Sequence, residues 1–149
     1  VIDTGRLPDQ LNTSYTLSME ILDASAEAED TLVTWIDVPI PEINASLSVE
    51  QQEYSRFDEE ATLILQNDGP THLTFGTPYS IEKRVDGVWR IVPSERAFNS
   101  IGIILRPGED YRQQVDIRGL KAGEYRVVKQ VWAQGLDLSA AMAAPFTVN

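Results

Sequence analysis

The chain has 149 residues, a net charge of −11 and no cysteine. Its length fits one domain that can bury a core. The lack of cysteine excludes disulfides, thiolate metal sites and a cysteine nucleophile, and no apolar run of about 18 residues is present to cross a bilayer. Because the chain begins with valine, we expect a mature chain whose export signal, if there was one, has been removed.

The acidic residues are concentrated in the first part of the chain. Residues 1–60 hold 14 of the 23 acids and only Arg6 and Arg56 as bases, a net charge of −12, whereas residues 61–149 have a net charge of +1. A nucleic-acid-binding protein needs a basic face to neutralise phosphates, and anionic membrane surfaces attract basic segments. We therefore expect neither a nucleic-acid partner nor adhesion to an anionic membrane, and the lack of a long apolar run predicts no membrane insertion.

Short alternating segments separated by Gly, Pro, Asn and Asp predict a β protein throughout. The first strand places Tyr15, Leu17, Met19 and Ile21 on one face. The segment at 24–30 is predicted as a loop or a single turn, and the segment at 139–144 is predicted as a loop. Ile101, Ile103 and Ile104 are predicted to be buried. The predicted strands are 14–22, 31–38, 45–50, 60–66, 72–84 with a bend at Gly76 and Pro78, 89–92, 111–117, 124–132 and 145–149.

Three turns have specific chemistry. Residues 67–70 (Asn-Asp-Gly-Pro) form a strong turn signal. The Asp86-Gly87 pair predicts a type I′ hairpin, which needs two residues with positive φ. Residues 106–109 (Arg-Pro-Gly-Glu) predict a type II turn with Gly108 at the third position.

The segment from Leu120 to Val128 predicts a tyrosine corner. Its Leu-x-x-Gly-x-Tyr run, with Gly123 and Tyr125, precedes a β-branched strand. In such a corner the tyrosine hydroxyl bonds to the chain a few residues upstream, at the start of the sixth strand of an immunoglobulin-type sandwich.

The strand that follows has a conflict of alternation. If Tyr125 points inward, Lys129 does too, and Val128 and Trp132 face outward. Three explanations stay open: a bulge after Val128 that changes the register, a lysine that snorkels at the end of the sandwich, or a cover over Val128 and Trp132 formed by residues 14–38.

Several segments carry a resemblance to a known family. They are 63–68 (Leu-Ile-Leu-Gln-Asn-Asp), 75–83 (Phe-Gly-Thr-Pro-Tyr-Ser-Ile-Glu-Lys), 87–89 (Gly-Val-Trp), Val92-Pro93, 105–109 (Leu-Arg-Pro-Gly-Glu) and 123–129 (Gly-Glu-Tyr-Arg-Val-Val-Lys). In the order and spacing of these segments the chain resembles a bacterial immunoglobulin-like domain of exported and envelope proteins, mostly of Gram-positive bacteria. The resemblance implies an all-β immunoglobulin-like β-sandwich of about seven strands and an extracytoplasmic location. It does not imply an enzyme, a cofactor or a defined ligand.

Residues 1–43 do not resemble the family. We expect them to form an N-terminal β extension that packs on the immunoglobulin-like domain at residues 44–149.

Residues suited to catalysis or metal binding are few. His72 is the single histidine and follows a turn, so we expect a surface residue. One His without Cys cannot form a tetrahedral N/S site. Calcium takes carboxylates from flexible loops, and two acidic runs offer them without matching the usual loop pattern, so we interpret both as solvated. These runs are Glu27, Glu29 and Asp30, and Asp58, Glu59 and Glu60.

Two functions remain. The first is a non-catalytic module of an exported bacterial protein, for protein contact, adhesion or spacing at the cell envelope. The alternative is a carbohydrate- or cell-wall-binding module that uses exposed tryptophans. Trp132, Val128 and Trp35 are the candidate binding residues, and Leu120, Gly123, Tyr125 and Trp89 are interpreted as structural, Trp89 by packing in the core or on a hairpin. The expected partner is a protein or a wall glycan.

Overall fold

The computed structural model describes residues 5–95, 97–99 and 101–149. Residues 1–4 of the predicted extension lie outside the described residues. Within the described ranges the chain forms strands and no helix. The strands are β1 (Thr13–Leu22), β2 (Ala28–Val38), β3 (Ala45–Val49), β4 (Glu53–Tyr54), β5 (Glu60–Asn67), β6 (Leu73–Phe75), β7 (Ser80–Val85), β8 (Val88–Ile91), β9 (Ile103–Leu105), β10 (Asp110–Asp116), β11 (Gly123–Ala133) and β12 (Ser139–Val148).

The chain divides into two compact units between Ile40 and Pro41, close to the predicted boundary after residue 43. The first unit contains the antiparallel hairpin of β1 and β2. Its turn is closed by the Asp23 carboxylate, which accepts hydrogen bonds from the backbone N–H groups of Ser25 and Glu27. Because this turn is tight, β2 begins at Ala28, earlier than the predicted strand at 31–38.

The hairpin has one apolar and one mainly polar face. Residues directly opposite each other share a face, and the pairing sets Leu17 opposite Thr34 and Met19 opposite Leu32. The predicted alternation of the first strand is confirmed. Trp35 lies on the other face, opposite Thr16, and is 75% exposed.

The second unit is built from two sheets. The smaller has the order β10-β5-β3. The larger has the order β4-β12-β11-β6-β9, and β7 also pairs with β11 and carries β8 at its far side. The predicted all-β class is confirmed.

The core lies between the inner faces of these two sheets. Leu63 and Val115 of the smaller sheet belong to the same buried cluster as Val127 and Phe146 of the larger one. The ring of Tyr125 stacks on that of Phe146 with centroids 5.5 Å apart. A second cluster joins the sheets at the other end and contains Leu65, Leu73, Phe75, Leu105 and Val131.

Two predictions about the second unit are wrong. The segment 139–144, predicted as a loop, is the first half of β12, because it pairs with β11 from Trp132↔Ser139 through Val128↔Ala143. Ile101 and Ile104, predicted to be buried, are 56% and 53% exposed. Ile104 is exposed because its side chain points to the outer face of the sheet, where it lies opposite Thr74.

The predicted turn chemistry is confirmed at two turns, the β7–β8 hairpin and the connection from β9 to β10. Asp86 and Gly87 have φ values of 51° and 79°, as a type I′ turn requires. Gly108 has a φ of 81°, and the N–H of Glu109 donates to the Arg106 carbonyl, as in a type II turn.

The start of β11 has the hydrogen bond of a tyrosine corner. The Tyr125 hydroxyl donates to the carbonyl of Lys121 at 2.7 Å. Leu120 is buried beside it in the core. Gly123 has a φ of 152°, which L side chains rarely adopt, so glycine suits this position.

Candidate functional site

β11 has an unexpected residue on each face, a lysine on the inner face and a tryptophan on the outer face. Its pairing with β12 is continuous from Gly123↔Val148 to Trp132↔Ser139. The predicted alternative of a bulge after Val128 is therefore wrong. Lys129 points into the core and is 1% exposed, whereas Trp132 points outward and is 45% exposed.

The Lys129 ammonium is held by three acceptors. It donates to the carbonyl of Gly76 at 2.7 Å, to Gln113 Oε1 at 2.9 Å and to the carbonyl of Pro78 at 3.3 Å. It also lies 5.3 Å from the centroid of the Phe75 ring. Because all three donors of an ammonium have partners inside the sandwich, the predicted alternative of a lysine that snorkels to solvent is wrong.

The need for a buried lysine arises from a break in the neighbouring strand. β6 and β7 both pair with β11, β6 near Trp132 and β7 between Tyr125 and Val128. The segment 76–78 between them lies outside both strands, and a buried carbonyl without a partner is costly. Lys129 satisfies the carbonyls of Gly76 and Pro78, and the Gln113 amide donates to that of Thr77 at 2.7 Å.

Glycine is required at the start of this break. A Cβ built on Gly76 would lie 2.9 Å from Cδ of Pro78, closer than side-chain atoms approach in proteins. The predicted bend at Gly76 and Pro78 thus has a steric cause, and we call 76–78 with its side-chain donors the pinned crossing.

Burial lowers the pKa of Lys129 from 10.5 to about 8. Desolvation disfavours the charged form of a lysine. At neutral pH the group is still mainly an ammonium, which matches the three acceptors around it.

The pinned crossing also positions a surface segment on its other side. The Thr77 hydroxyl donates to Asn99, whose Oδ1 lies at 2.8 Å. The ring of Tyr79 packs edge-on against that of Phe98, with centroids 5.0 Å apart. Phe98 and Asn99 are therefore fixed relative to β6 and β7, although neither belongs to a strand.

These elements enclose a cleft of about 390 Å³, which we call the Trp132 cleft. Trp132 stands opposite Thr74 in the ladder between β11 and β6, and none of the described lining side chains is charged. Apolar and aromatic surfaces with a few polar groups are typical of binding clefts of this size. The described residues that line the cleft are Thr74, Phe75, Gly76, Pro78, Phe98, Asn99, Ile101, Gly102, Gln130 and Trp132.

A charged cluster occupies the far end of the same outer face. Arg126 Nε donates to Glu82 at 2.6 Å, and the Arg126 guanidinium lies 4.6 Å from the centroid of the Trp89 ring. Arg84 approaches the same ring at 6.0 Å. Trp89 is half-buried and packs on the β7–β8 hairpin rather than in the core.

Of the three predicted binding residues, Trp132 alone lines the cleft. Val128 is half-buried on the same outer face, opposite Ser80 and Ala143. Trp35 belongs to the hairpin of the first unit.

The single histidine and the acidic side chains form no metal site in the described part of the chain. His72 is exposed, as predicted. Among the described residues, no three His, Asp or Glu side chains are grouped closely enough to hold a metal ion.

Sequence reasoning missed Gln113 as the partner of Lys129. The signal was present, since Gln113 lies on the same alternating face as Val115 and Ile117, which are buried. Two polar residues that point inward from facing strands indicate a hydrogen-bonded pair. Phe98 and Asn99 were missed because their segment has no periodic pattern.

Similar solved structures share little sequence with this chain. A β-glucosidase from Erythrobacter marinus is 13% identical with a TM-score of 0.40, over 72% of this chain and 15% of its own. Pseudomonas fluorescens alkylpurine DNA glycosylase AlkC is 14% identical with a TM-score of 0.38, over 72% of this chain and 31% of its own. A PapD-like domain of human CEP192 is 14% identical with a TM-score of 0.36, over 70% of this chain and 85% of its own.

These values carry no argument about activity. No curated protein matches the chain. No helix in the described residues is long and apolar enough to cross a membrane.

The family comparison is specific. The bacterial Ig-like domain family matches residues 41–147. This range begins where the second unit begins and covers all the strands from β3 to β11 and nearly all of β12. The chain therefore belongs to the bacterial Ig-like domain family.

Proposed function

We propose that this Ig-like chain is a non-catalytic module of an exported bacterial protein that makes protein contacts at the cell envelope through the Trp132 cleft. The observation that carries the proposal is a Trp side chain 45% exposed beside a formed, mainly apolar cleft. Exposed apolar surface around a concavity marks interaction sites. A module used only as a spacer needs no such cleft.

The composition of the cleft supports a non-catalytic role. General acid–base and nucleophilic catalysis need a titratable group or an activated nucleophile within reach of the substrate. Among the residues that the structure describes, the lining includes no His, Asp, Glu or Lys. Lys129 lies beneath the cleft, and its donors are engaged by the pinned crossing.

The extracytoplasmic location is part of the same proposal. Its support is membership in a family of bacterial Ig-like domains. The sandwich has no cysteine and is held by its core and backbone ladders, so it does not depend on a reducing or an oxidising compartment.

A glycan ligand is the second candidate, favoured by the exposure of Trp132 and Trp35. Aromatic rings can stack on sugar rings, and Asn99 and Gln130 in the lining offer hydrogen bonds. Trp89 contributes less to such a platform, because Arg126 lies over its ring at 4.6 Å.

The test is photo-crosslinking in cells with the full-length protein. A benzophenone amino acid replaces Trp132 in one variant and Phe57, an aromatic residue 78% exposed, in a matched control. We expect discrete protein adducts from position 132 that position 57 does not give. Absence of adducts from position 132 contradicts protein contact through this cleft.

A second assay separates the two candidates. The purified chain is sedimented with isolated cell walls, and wild type is compared with Trp132→Ala and Phe57→Ala. Wall binding that is lost only in Trp132→Ala, together with adducts that disappear after digestion with a wall hydrolase, favours the glycan. We expect no wall binding that depends on Trp132.

A further inference from the structure

Within the described ranges, the strand β9 has one side of its backbone without a neighbouring strand. β9 stands at the end of the larger sheet, and in the described residues its strand partner is β6. An edge strand presents N–H and C=O groups that can pair with another chain. Edges that avoid such pairing are usually very short or carry charges, proline or a bulge.

β9 is only three residues long, but in the described part of the chain it carries no charge, proline or bulge. It consists of Ile103, Ile104 and Leu105. Ile104 is 53% exposed, and Ile101, just before the strand, is 56% exposed. By contrast, the edge strand β10 carries Asp110, Arg112 and Asp116, β8 carries Arg90, and β3 exposes Ser46 and Ser48.

The free edge is continuous with the Trp132 cleft. Across the ladders, Trp132 stands opposite Thr74 and Thr74 stands opposite Ile104, so the three side chains form one outward row. Ile101 and Gly102, which lead into β9, line the cleft. Since neighbouring strands lie about 4.8 Å apart, a strand added to β9 would run along the mouth of the cleft.

We infer that β9 accepts an added strand, and that its occupant is an extended, uncharged segment of a partner protein that places an aromatic side chain in the Trp132 cleft. The inference rests on the proposed function and specifies its binding mode. In strand addition the main chain supplies affinity and alternate side chains supply specificity.

The chemistry of the occupant follows from the lining. A charged side chain would lose hydration in a cleft whose described lining offers no charged side chain to compensate it. An aromatic side chain gains contact with the rings of Trp132 and Phe98. Thr74, Asn99 and Gln130 can bond to the backbone or to a neutral polar group.

The probe is an end-capped synthetic peptide, Thr-Val-Thr-Trp-Thr-Val-Thr, labelled with fluorescein. Its affinity is measured by anisotropy, and hydrogen exchange of the amides of Ile103 to Leu105 is followed by NMR. We expect binding to slow the exchange of these amides. N-methylation of the peptide on one edge should weaken binding by about tenfold or more, while methylation on the other edge leaves it unchanged.

Two charge variants give a matched comparison. Ile104→Lys adds a charge to the free edge at an exposed position, and we expect it to weaken binding by about tenfold or more. Ile91→Lys adds the same charge at an exposed position of β8, where Ile91 is 69% exposed, and should bind the peptide like wild type.

Several results would overturn the inference. One such result is that Trp132→Ala weakens peptide binding, while Ile104→Lys binds like wild type and both methylated peptides bind like the unmethylated one. The cleft would then bind protein without strand addition, and the proposed function would hold without this inference. Absence of peptide binding up to about 1 mM overturns the strand addition and leaves the crosslinking test untouched. Displacement of the peptide by oligomers of N-acetylglucosamine assigns the cleft to a glycan. Loss of a wild-type dimer in Ile104→Lys, without peptide binding, assigns the edge to a second copy.

Discussion

The two faces of β11 invert the usual distribution of polar and apolar residues. The inner face buries a lysine, and the outer face exposes a tryptophan only three positions further along. The two side chains differ in whether their interaction partners lie within the chain. Lys129 has an acceptor for each of its donors, whereas Trp132 borders a cleft with room for another molecule. A buried polar residue whose partners all lie inside the chain indicates a structural role. An exposed aromatic residue beside an open cleft indicates a binding role.

The largest expected effect is that of Lys129→Ala, which tests the completeness of the inner face. The change leaves three acceptors unpaired and a cavity in the core, so we expect a loss of about 3–5 kcal/mol in the free energy of unfolding. Urea denaturation measures it, with the exposed Lys121→Ala as control at less than about 0.5 kcal/mol. A loss below about 1 kcal/mol for Lys129→Ala would mean that the crossing is not held by this side chain.

Two neighbouring valines of β11 allow the packing of its two faces to be compared directly. Val127 is fully buried and Val128 is half-buried on the outer face. Replacing each by threonine keeps the shape and adds a hydroxyl. We expect Val127→Thr to cost about 1–3 kcal/mol because its hydroxyl enters the core, and Val128→Thr to cost less than about 0.5 kcal/mol. Equal costs in urea denaturation would show that the outer face is as closed as the inner one.

The pH dependence of stability reports on Lys129. Its pKa is about 8 in the folded chain and 10.5 as the ordinary value, so between these values the unfolded chain binds more protons. The free energy of unfolding should therefore rise with pH, by about 1–2 kcal/mol from pH 8 to 9.5. Lys129→Met should remove this rise. The free energy of unfolding is measured only up to pH 9.5. Burial raises the pKa of Tyr54 from 10.0, so at higher pH ionisation of this tyrosine in the unfolded chain would lower the free energy of unfolding.

The smallest effect concerns the tyrosine corner. Tyr125→Phe removes the hydrogen bond to Lys121 and keeps the stacking on Phe146. We expect a loss of about 1 kcal/mol, visible as a lower midpoint in urea with an unchanged slope. A variant as stable as wild type would show that the corner's hydrogen bond adds nothing to the packing of the ring.

The sequence predicts those parts of the fold that depend on neighbouring residues. Alternation placed Lys129 inward and Trp132 outward on the same strand, and glycine chemistry located the turns at Gly87 and Gly108. The first half of β12 was missed because alanines have low β propensity, and its strand structure comes from pairing with β11.

The Trp132 cleft could not be predicted, because it depends on contacts between residues that are far apart along the chain. Phe98 and Asn99 lie in an irregular segment and are positioned by Tyr79 and Thr77, about twenty residues away along the chain. The acceptors of Lys129 at Gly76 and Pro78 are 53 and 51 residues away. Such contacts exist only after the sheets have formed, so no local pattern encodes them.

The position of β12 also determines when the domain can fold during synthesis. β12 lies between β4 and β11, and it supplies Phe146 and Val148 to the core. A nascent chain that has emerged only as far as Leu138 lacks the central neighbour of its longest strand in this unit, and β4 has nothing to pair with. Since domains emerge from the ribosome with the N-terminal part first, the larger sheet cannot be completed until β12 has been released.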